Sequence, residues 1–187
     1  MSSKGILLGL LGLGIVIVLM LFGTYNGLAT AKVAIDGQWA QVETVLQRRY
    51  DLIPNLVETV KGYAKHEAGV LEEVTRLRSQ WGAAKDTSSK VSASNDLEGA
   101  LSRLMVVVEK YPDLKANEGF LKLQDELAGT ENRIAVQRLR YNEALQAYNA
   151  SIELFPNNIV ASMSGFTRND AYFKTEPGAR ETPKVQF

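Results

Sequence analysis

The sequence predicts an all-α protein: an N-terminal transmembrane helix leading into an antiparallel up-and-down bundle of three to four long helices. Three observations carry that prediction. The stretch Gly5 to Gly23 (GILLGLLGLGIVIVLMLFG) contains no charged residue. Beyond it, apolar residues recur at heptad spacing over long stretches, the pattern of amphipathic helices that pack along a seam. No segment of useful length alternates apolar and polar residues as a half-buried strand requires.

The apolar run defines the first element, an anchor over residues 1–24 with its span at 5–23. A helix needs about 20 apolar residues to cross about 30 Å of hydrocarbon, and in lipid only a helix satisfies its own backbone within one segment. A cleavable signal peptide has a shorter apolar region, roughly 7–15 residues, followed closely by a small-x-small site. Ala29 and Ala31 form such a site, but it lies well past the end of an already long run. Without cysteine the chain has no residue to carry a lipoprotein's lipid. Lys4 and the terminal amine precede the span, while only Lys32 follows closely, with Arg48 and Arg49 further away. Positive charge tends to stay cytoplasmic, which places the N-terminus in the cytoplasm and the bundle outside a cell membrane crossed once. Gly5 and Gly9 make a GxxxG pattern that Gly12 and Gly14 extend, the small-residue face through which transmembrane helices associate.

From Leu28 to Trp81 a single stripe predicts one long helix. One set is Leu28, Ile35, Val42, Arg49, Leu56, Tyr63, Val70 and Leu77; its companion is Lys32, Trp39, Leu46, Ile53, Val60, Glu67, Val74 and Trp81. Pro54 removes a backbone donor inside that helix. The seam keeps its phase across the proline, which favours a kink over a break. Gly82 to Ser94 is small and polar and reads as a loop. A second helix follows over 96–111, with Asn95 and Glu98 spaced as a capping box and Pro112 ending it. A third opens at Asn117 and runs to Phe155, where Pro156 stops it. Its stripe is Phe120, Leu127, Ile134, Tyr141, Tyr148 and Phe155. A short apolar piece covers 159–166, and the bundle as a whole covers 25–166. The tail, 167–187, contains Tyr172, Phe173 and Phe187 and reads as extended.

Composition excludes several functions. Lys+Arg and Asp+Glu are both 21, a balance that argues against nucleic-acid binding, which calls for a basic excess. The lack of cysteine removes disulfides, thiolate metal sites and cysteine nucleophiles. His66 is the single histidine. The helical zinc pattern needs a second histidine four residues on, and Val70 stands there. No cofactor, metal or catalytic residue is expected, and the protein is read as no enzyme. Asn149-Ala150-Ser151 matches a glycosylation sequon but falls inside the third helix.

The richest local cluster is Arg48-Arg49-Tyr50-Asp51-Leu52-Ile53-Pro54-Asn55. Arg49 falls on the apolar seam, where an unpaired charge is costly. It requires an acid on another helix, and Glu131 is one candidate. Such a residue pins helix register. The interhelix motif therefore comprises Trp39, Leu46, Arg48, Arg49, Tyr50, Asp51, Ile53, Pro54, Asn55, Glu131, Asn132, Arg133, Tyr141, Asn142, Tyr148 and Asn149. Gly5, Gly9 and Gly12 are the packing positions of the span.

Tyr25-Asn26, the stretch RRYDLIPNLVETVKGYAKHE from Arg48, and YPDLKANEGFLKLQDELAGTENRIAVQRLRYNEALQAYN from Tyr111 strongly resemble the LemA family. Phe155-Pro156-Asn157, Ala161 and Gly165-Phe166 continue the match. The resemblance implies a membrane helix followed by an antiparallel bundle of long helices. It implies no activity, because the family offers no catalytic residues to carry over. Relatives are linked to membrane organisation, including magnetosome formation, and to membrane-bound metallopeptidases and stress responses.

Two functions are expected from these readings. The first is a membrane-anchored, self-associating helical scaffold that organises or remodels a bacterial membrane, with lipid and a second copy of the chain as partners. The alternative is an adaptor that presents partner or client proteins to a membrane-bound metallopeptidase or a stress-response partner.

Overall fold

A computed structural model describes residues 3–64 and 66–174, and the tail expected over 175–187, with Phe187, lies outside the described residues. Among the described residues six helices follow in order: α1 (Ser3–Tyr63), α2 (Ala68–Ala83), α3 (Thr87–Val108), α4 (Pro112–Lys115), α5 (Glu118–Glu153) and α6 (Asn157–Ser164). No strand occurs among the described residues. The chain divides into two compact units, one of Trp39–Arg140 with the chain from Ala171, the other of the chain up to Gln38 with Tyr141–Asp170.

In the Trp39–Arg140 unit the helices alternate in direction, as long-range contacts show. The Arg78 guanidinium of α2 reaches Tyr50 of α1, and Arg103 of α3 pairs with Glu73 of α2. Lys90 near the start of α3 pairs with Glu43, whereas Tyr111 beyond its end donates to Glu67, so α3 runs alongside α1. Glu131 and Arg138 of α5 meet Arg49 and Glu98, which sets α5 antiparallel to both. This is an up-down-up-down bundle.

Two expectations need correction here. The stripe from Leu28 to Trp81 is not one helix. It ends as α1 at Tyr63 and resumes as α2 at Ala68. An exposed apolar stripe needs a partner, and here it finds its own continuation. Leu46, Ile53, Leu56 and Val60 on α1 and Leu71, Val74, Leu77 and Trp81 on α2 are all buried. The segment Gly82 to Ser94 is not a loop either, because α3 begins at Thr87. Asp86 caps it, accepting the Ser89 backbone N–H at 2.9 Å and the Ser89 hydroxyl at 2.6 Å. Those hydrogen bonds, the hydroxyl first, hold the Asp86 carboxyl below its usual range. Val91, Ala93 and Ser94 are buried, so packing overrides the weak helix preference of a serine-rich segment. Asn95 and Glu98 consequently lie inside α3 and cap nothing.

Pro112 opens α4 rather than merely ending a helix, since proline is favoured in a first turn where its missing N–H is not needed. Asn117 caps α5, accepting the Phe120 N–H at 2.9 Å while donating to the Tyr63 hydroxyl at 3.0 Å. Phe155 falls outside α5, which stops at Glu153, and it is exposed rather than on the buried stripe.

In the second unit α6 ends at Gly165, whose φ of 73° is the left-handed cap that glycine adopts without strain. The chain after it is strapped along α5. Asn149 uses its carboxamide like a piece of backbone, donating to the Asn169 carbonyl at 2.7 Å and accepting the Asn169 N–H at 3.0 Å. Tyr148 donates to the Thr167 carbonyl at 3.0 Å. The sequon asparagine is thus buried and committed to the fold.

α1 runs unbroken through Pro54. The carbonyl that loses its partner to that proline is Tyr50, four residues earlier. Arg78 supplies the missing donor, its Nε lying 3.0 Å from the Tyr50 oxygen. Arg78→Ala is expected to cost about 1–3 kcal/mol, the range for stranding a buried acceptor. In a Pro54→Ala background the restored N–H satisfies Tyr50, and the same substitution should cost less than about 1 kcal/mol. Urea unfolding of the full chain in detergent, run as a double-mutant cycle, measures the difference. Equal costs in both backgrounds would show that Arg78 does not stand in for the proline.

Candidate functional site

The segment Arg48–Asn55 lies on α1 in the four-helix unit and sends its side chains to different environments. Arg49, Tyr50 and Ile53 are buried; Arg48, Asp51, Pro54 and Asn55 are exposed. Alternation of this kind follows from helical periodicity, which turns residues three and four apart to one face. Asp51 accepts from Gln47 at 2.8 Å along the same helix surface. Asn55 contributes its backbone carbonyl to Thr59 at 2.7 Å.

Arg49, only 9 % exposed, lies with Nη1 2.7 Å from Glu131 Oε2 of α5. A second ion pair stands beside it. Arg138 of α5 places Nη1 2.6 Å from Glu98 of α3, and its Nη2 donates to the buried Ser94 hydroxyl at 3.0 Å. Two guanidinium groups are matched by two carboxylates, so the cluster carries no net charge into the interior. Each Arg Nε is buried without a partner, a cost that geometry elsewhere in the network must offset.

Tyr50 ties the cluster to α2, its ring centroid 3.9 Å from that of Trp81 with the planes tilted by 33°. The Lys90 ammonium sits over the same indole at 5.2 Å, a cation–π contact. Burial pushes the Tyr50 phenol up from 10.0 to about 12. A hydrogen bond with Ser94 and the charges of Arg49 and Arg138 act against that rise, and Glu98 adds to it. A cleft of about 420 Å³ opens next to Arg49, lined also by Glu98, Leu101, Met105 and Glu131.

The remaining sequence-derived positions scatter. Trp39 stacks on Phe173 at 6.1 Å with an 18° interplanar angle, and Arg138 covers that phenylalanine at 4.8 Å. Leu46 is buried in the four-helix unit, while Asn132 and Arg133 point outward. Tyr141, Tyr148 and Asn149 are buried and Asn142 half-buried in the other unit. His66 is exposed in the turn between α1 and α2. Among the described residues no group of three His, Asp or Glu side chains could hold a metal ion.

Arg138, Glu98, Ser94, Arg78 and Phe173 belong to this arrangement and do not follow from the heptad reading. Arg138 could have been found by the logic that singles out Arg49, since it lies one turn beyond Ile134 and one turn before Tyr141 on the buried stripe. Ser94 could not, because a small, polar segment reads as a loop. Chemically the cluster holds helices together: every charged group faces an opposite charge, and no nucleophile is paired with a base.

Comparison with known proteins supplies the wider frame. The model of the LemA family matches residues 38–187. Magnetosome protein MamQ 2 of Paramagnetospirillum magneticum is 28 % identical, over 86 % of this chain and 68 % of that protein. Magnetosome protein MamQ of Magnetospirillum gryphiswaldense is 26 % identical over the same shares. Protein LemA of Metamycoplasma hominis is 26 % identical, over 74 % of this chain and 64 % of that protein.

The raised Tyr50 phenol has a measurable consequence. The folded state holds the proton more tightly than the unfolded chain, so this stabilisation is complete below pH 10 and is lost as pH rises through about 12. Across that window wild type should lose about 2–3 kcal/mol more than Tyr50→Phe by linkage, the raised phenols of Tyr111 and Tyr148 being common to both proteins. Urea midpoints of the two proteins from pH 9 to 12 check it; parallel curves would refute a buried, titrating Tyr50.

Proposed function

The chain belongs to the LemA family, and from that premise we propose that it is a membrane-anchored, self-associating helical scaffold that organises or remodels a bacterial membrane. The observation that carries this reading is the uncovered start of α1. Every residue from Ser3 to Gly23 is exposed, and this helix is long and apolar enough to cross a membrane. Lipid is the solvent in which such a surface is stable. Gly5, Gly9, Gly12 and Gly14 have nothing within 4 Å of where a Cβ would stand, which leaves room for a second span to approach closely.

The charge-neutral cluster around Arg49 and Arg138 gives the scaffold its stiffness in this reading. Buried ion pairs add little net stability, but breaking one leaves a stranded charge, so they penalise slipped helix registers. The protein acts without catalysis. The charge difference across the span, Lys4 before it, orients the N-terminus to the cytoplasm and the bundle outward. The relatives named as magnetosome proteins agree with a role in membrane organisation.

Chemical cross-linking in native membranes tests the scaffold. Dimers and larger species are expected at natural abundance, and Gly9→Leu or Gly12→Leu should reduce them several-fold. Recovery of monomers alone would overturn self-association. An adaptor for a membrane-bound metallopeptidase would give that monomeric result and would lose its partner on deletion of 170–187.

A further inference from the structure

The segment from Leu154 to Thr167 (LFPNNIVASMSGFT) contains no charged residue. It forms the end of α5's connection, α6 and the turn at Gly165. One side of α6 is turned inward, with Val160 and Ala161 buried. The other leaves large apolar groups open: Phe155 is 79 % exposed and Met163 80 %, with Leu154 and Ile159 also exposed. Ile159 and Met163 are four residues apart and share one helix face. A water-soluble protein seldom groups its open hydrophobic residues on a single uncharged helix.

Depth gives this face its meaning. Val160 and Met163 line the same cleft, about 450 Å³, as Val18, Leu21 and Phe22. Those three belong to the last turns of the uncharged run that closes at Gly23. A side chain sharing a cleft with Phe22 sits at the level of Phe22. Where α1 is within the hydrocarbon, α6 is beside it. The Tyr25 and Phe166 rings meet at 5.6 Å just past that level, the position of the aromatic belt at a membrane interface. The charges resume together on the flanks: Arg168 pairs with Glu153 at 2.7 Å and with Asp170 at 2.8 Å.

We propose that α6, with the Leu154–Phe155 pair leading into it, is a second membrane contact, seated in the leaflet through which the C-terminal end of the α1 span emerges. Its occupant is lipid, the acyl chains and glycerol region of that leaflet. The proposal rests on the reading of residues 5–23 as a membrane span. It goes beyond that reading by adding a monotopic element that enters one leaflet and leaves by the same side. Such a helix displaces lipid from one leaflet only, which is a physical means by which a scaffold of this kind bends a bilayer. The Asn149–Asn169 strap holds α6 in place, so its apolar face is presented as a fixed surface.

Because the chain lacks cysteine, single-cysteine variants report without background. The full chain carrying Met163→Cys or Ile159→Cys is labelled with an environment-sensitive fluorophore in phosphatidylcholine vesicles. Lipids bearing a nitroxide either high on the acyl chain or, in a second set, near its end serve as quenchers, so that both the leaflet surface and the bilayer centre are sampled. Ile15→Cys marks the span, and Ser102→Cys marks an exposed site on α3. The probes at 163 and 159 should be blue-shifted and quenched several-fold more than at 102. If 15 is quenched while 159 and 163 behave like 102, the α6 proposal is overturned and the span stands. If 15 is not quenched either, both readings fail together. A blue shift at 163 without quenching would mean that protein rather than lipid covers α6, and would also overturn the proposal.

Discussion

Pro54 has no N–H, and one side chain from another helix answers for it. The Tyr50 carbonyl, stranded by the proline, accepts from Arg78 of α2 at 3.0 Å. This contact explains how α1 can continue through a residue that normally breaks a helix. It also fixes where α2 must lie. Only a helix that doubles back after Tyr63 can bring Arg78 to Tyr50, and the same register sets the Trp81 ring, tilted, against the Tyr50 ring. The defect in one helix thereby becomes a specification for its neighbour.

The rest of the four-helix unit is arranged around that register. Arg49 and Arg138 enter from α1 and α5, Glu98 and Ser94 from α3, Glu131 from α5. Charges buried in this way offer little net gain, since desolvation offsets most of their attraction. Their value is in what they forbid. A heptad stripe tolerates a slip of one repeat with little change in apolar contact, whereas a slip that parts Arg49 from Glu131 leaves a charge stranded next to leucine. Greasy seams supply the stability of the bundle, and the polar cluster selects one alignment among several.

The second unit solves a different problem. Its α1 segment leaves an uncharged surface open, and its α6 lies at the depth where that surface ends. Tail residues are strapped to α5 by the side chains of Tyr148 and Asn149, so a region without regular structure is held by two side chains acting in place of a strand. The uncharged run 5–23 of α1, the short uncharged α6 and the Arg168, Glu153 and Asp170 charges beyond them are the features on which the proposed membrane contact rests.

The helical class, the apolar span, the run of α5 from its Asn117 cap and the requirement that Arg49 find an acid are all legible along the chain, because each depends on residues close in sequence or on a period. Tertiary structure alone decided that the Leu28–Trp81 stripe folds back on itself. A heptad repeat records that a face must be buried and is silent on whether its partner is another chain or its own continuation. The serine-rich start of α3 was illegible for a related reason: its local preference is weak, and only burial of Val91, Ala93 and Ser94 makes it helical. Arg78 shows the limit most clearly, since nothing in its own neighbourhood reveals that a proline twenty-four positions earlier has left it a carbonyl to fill.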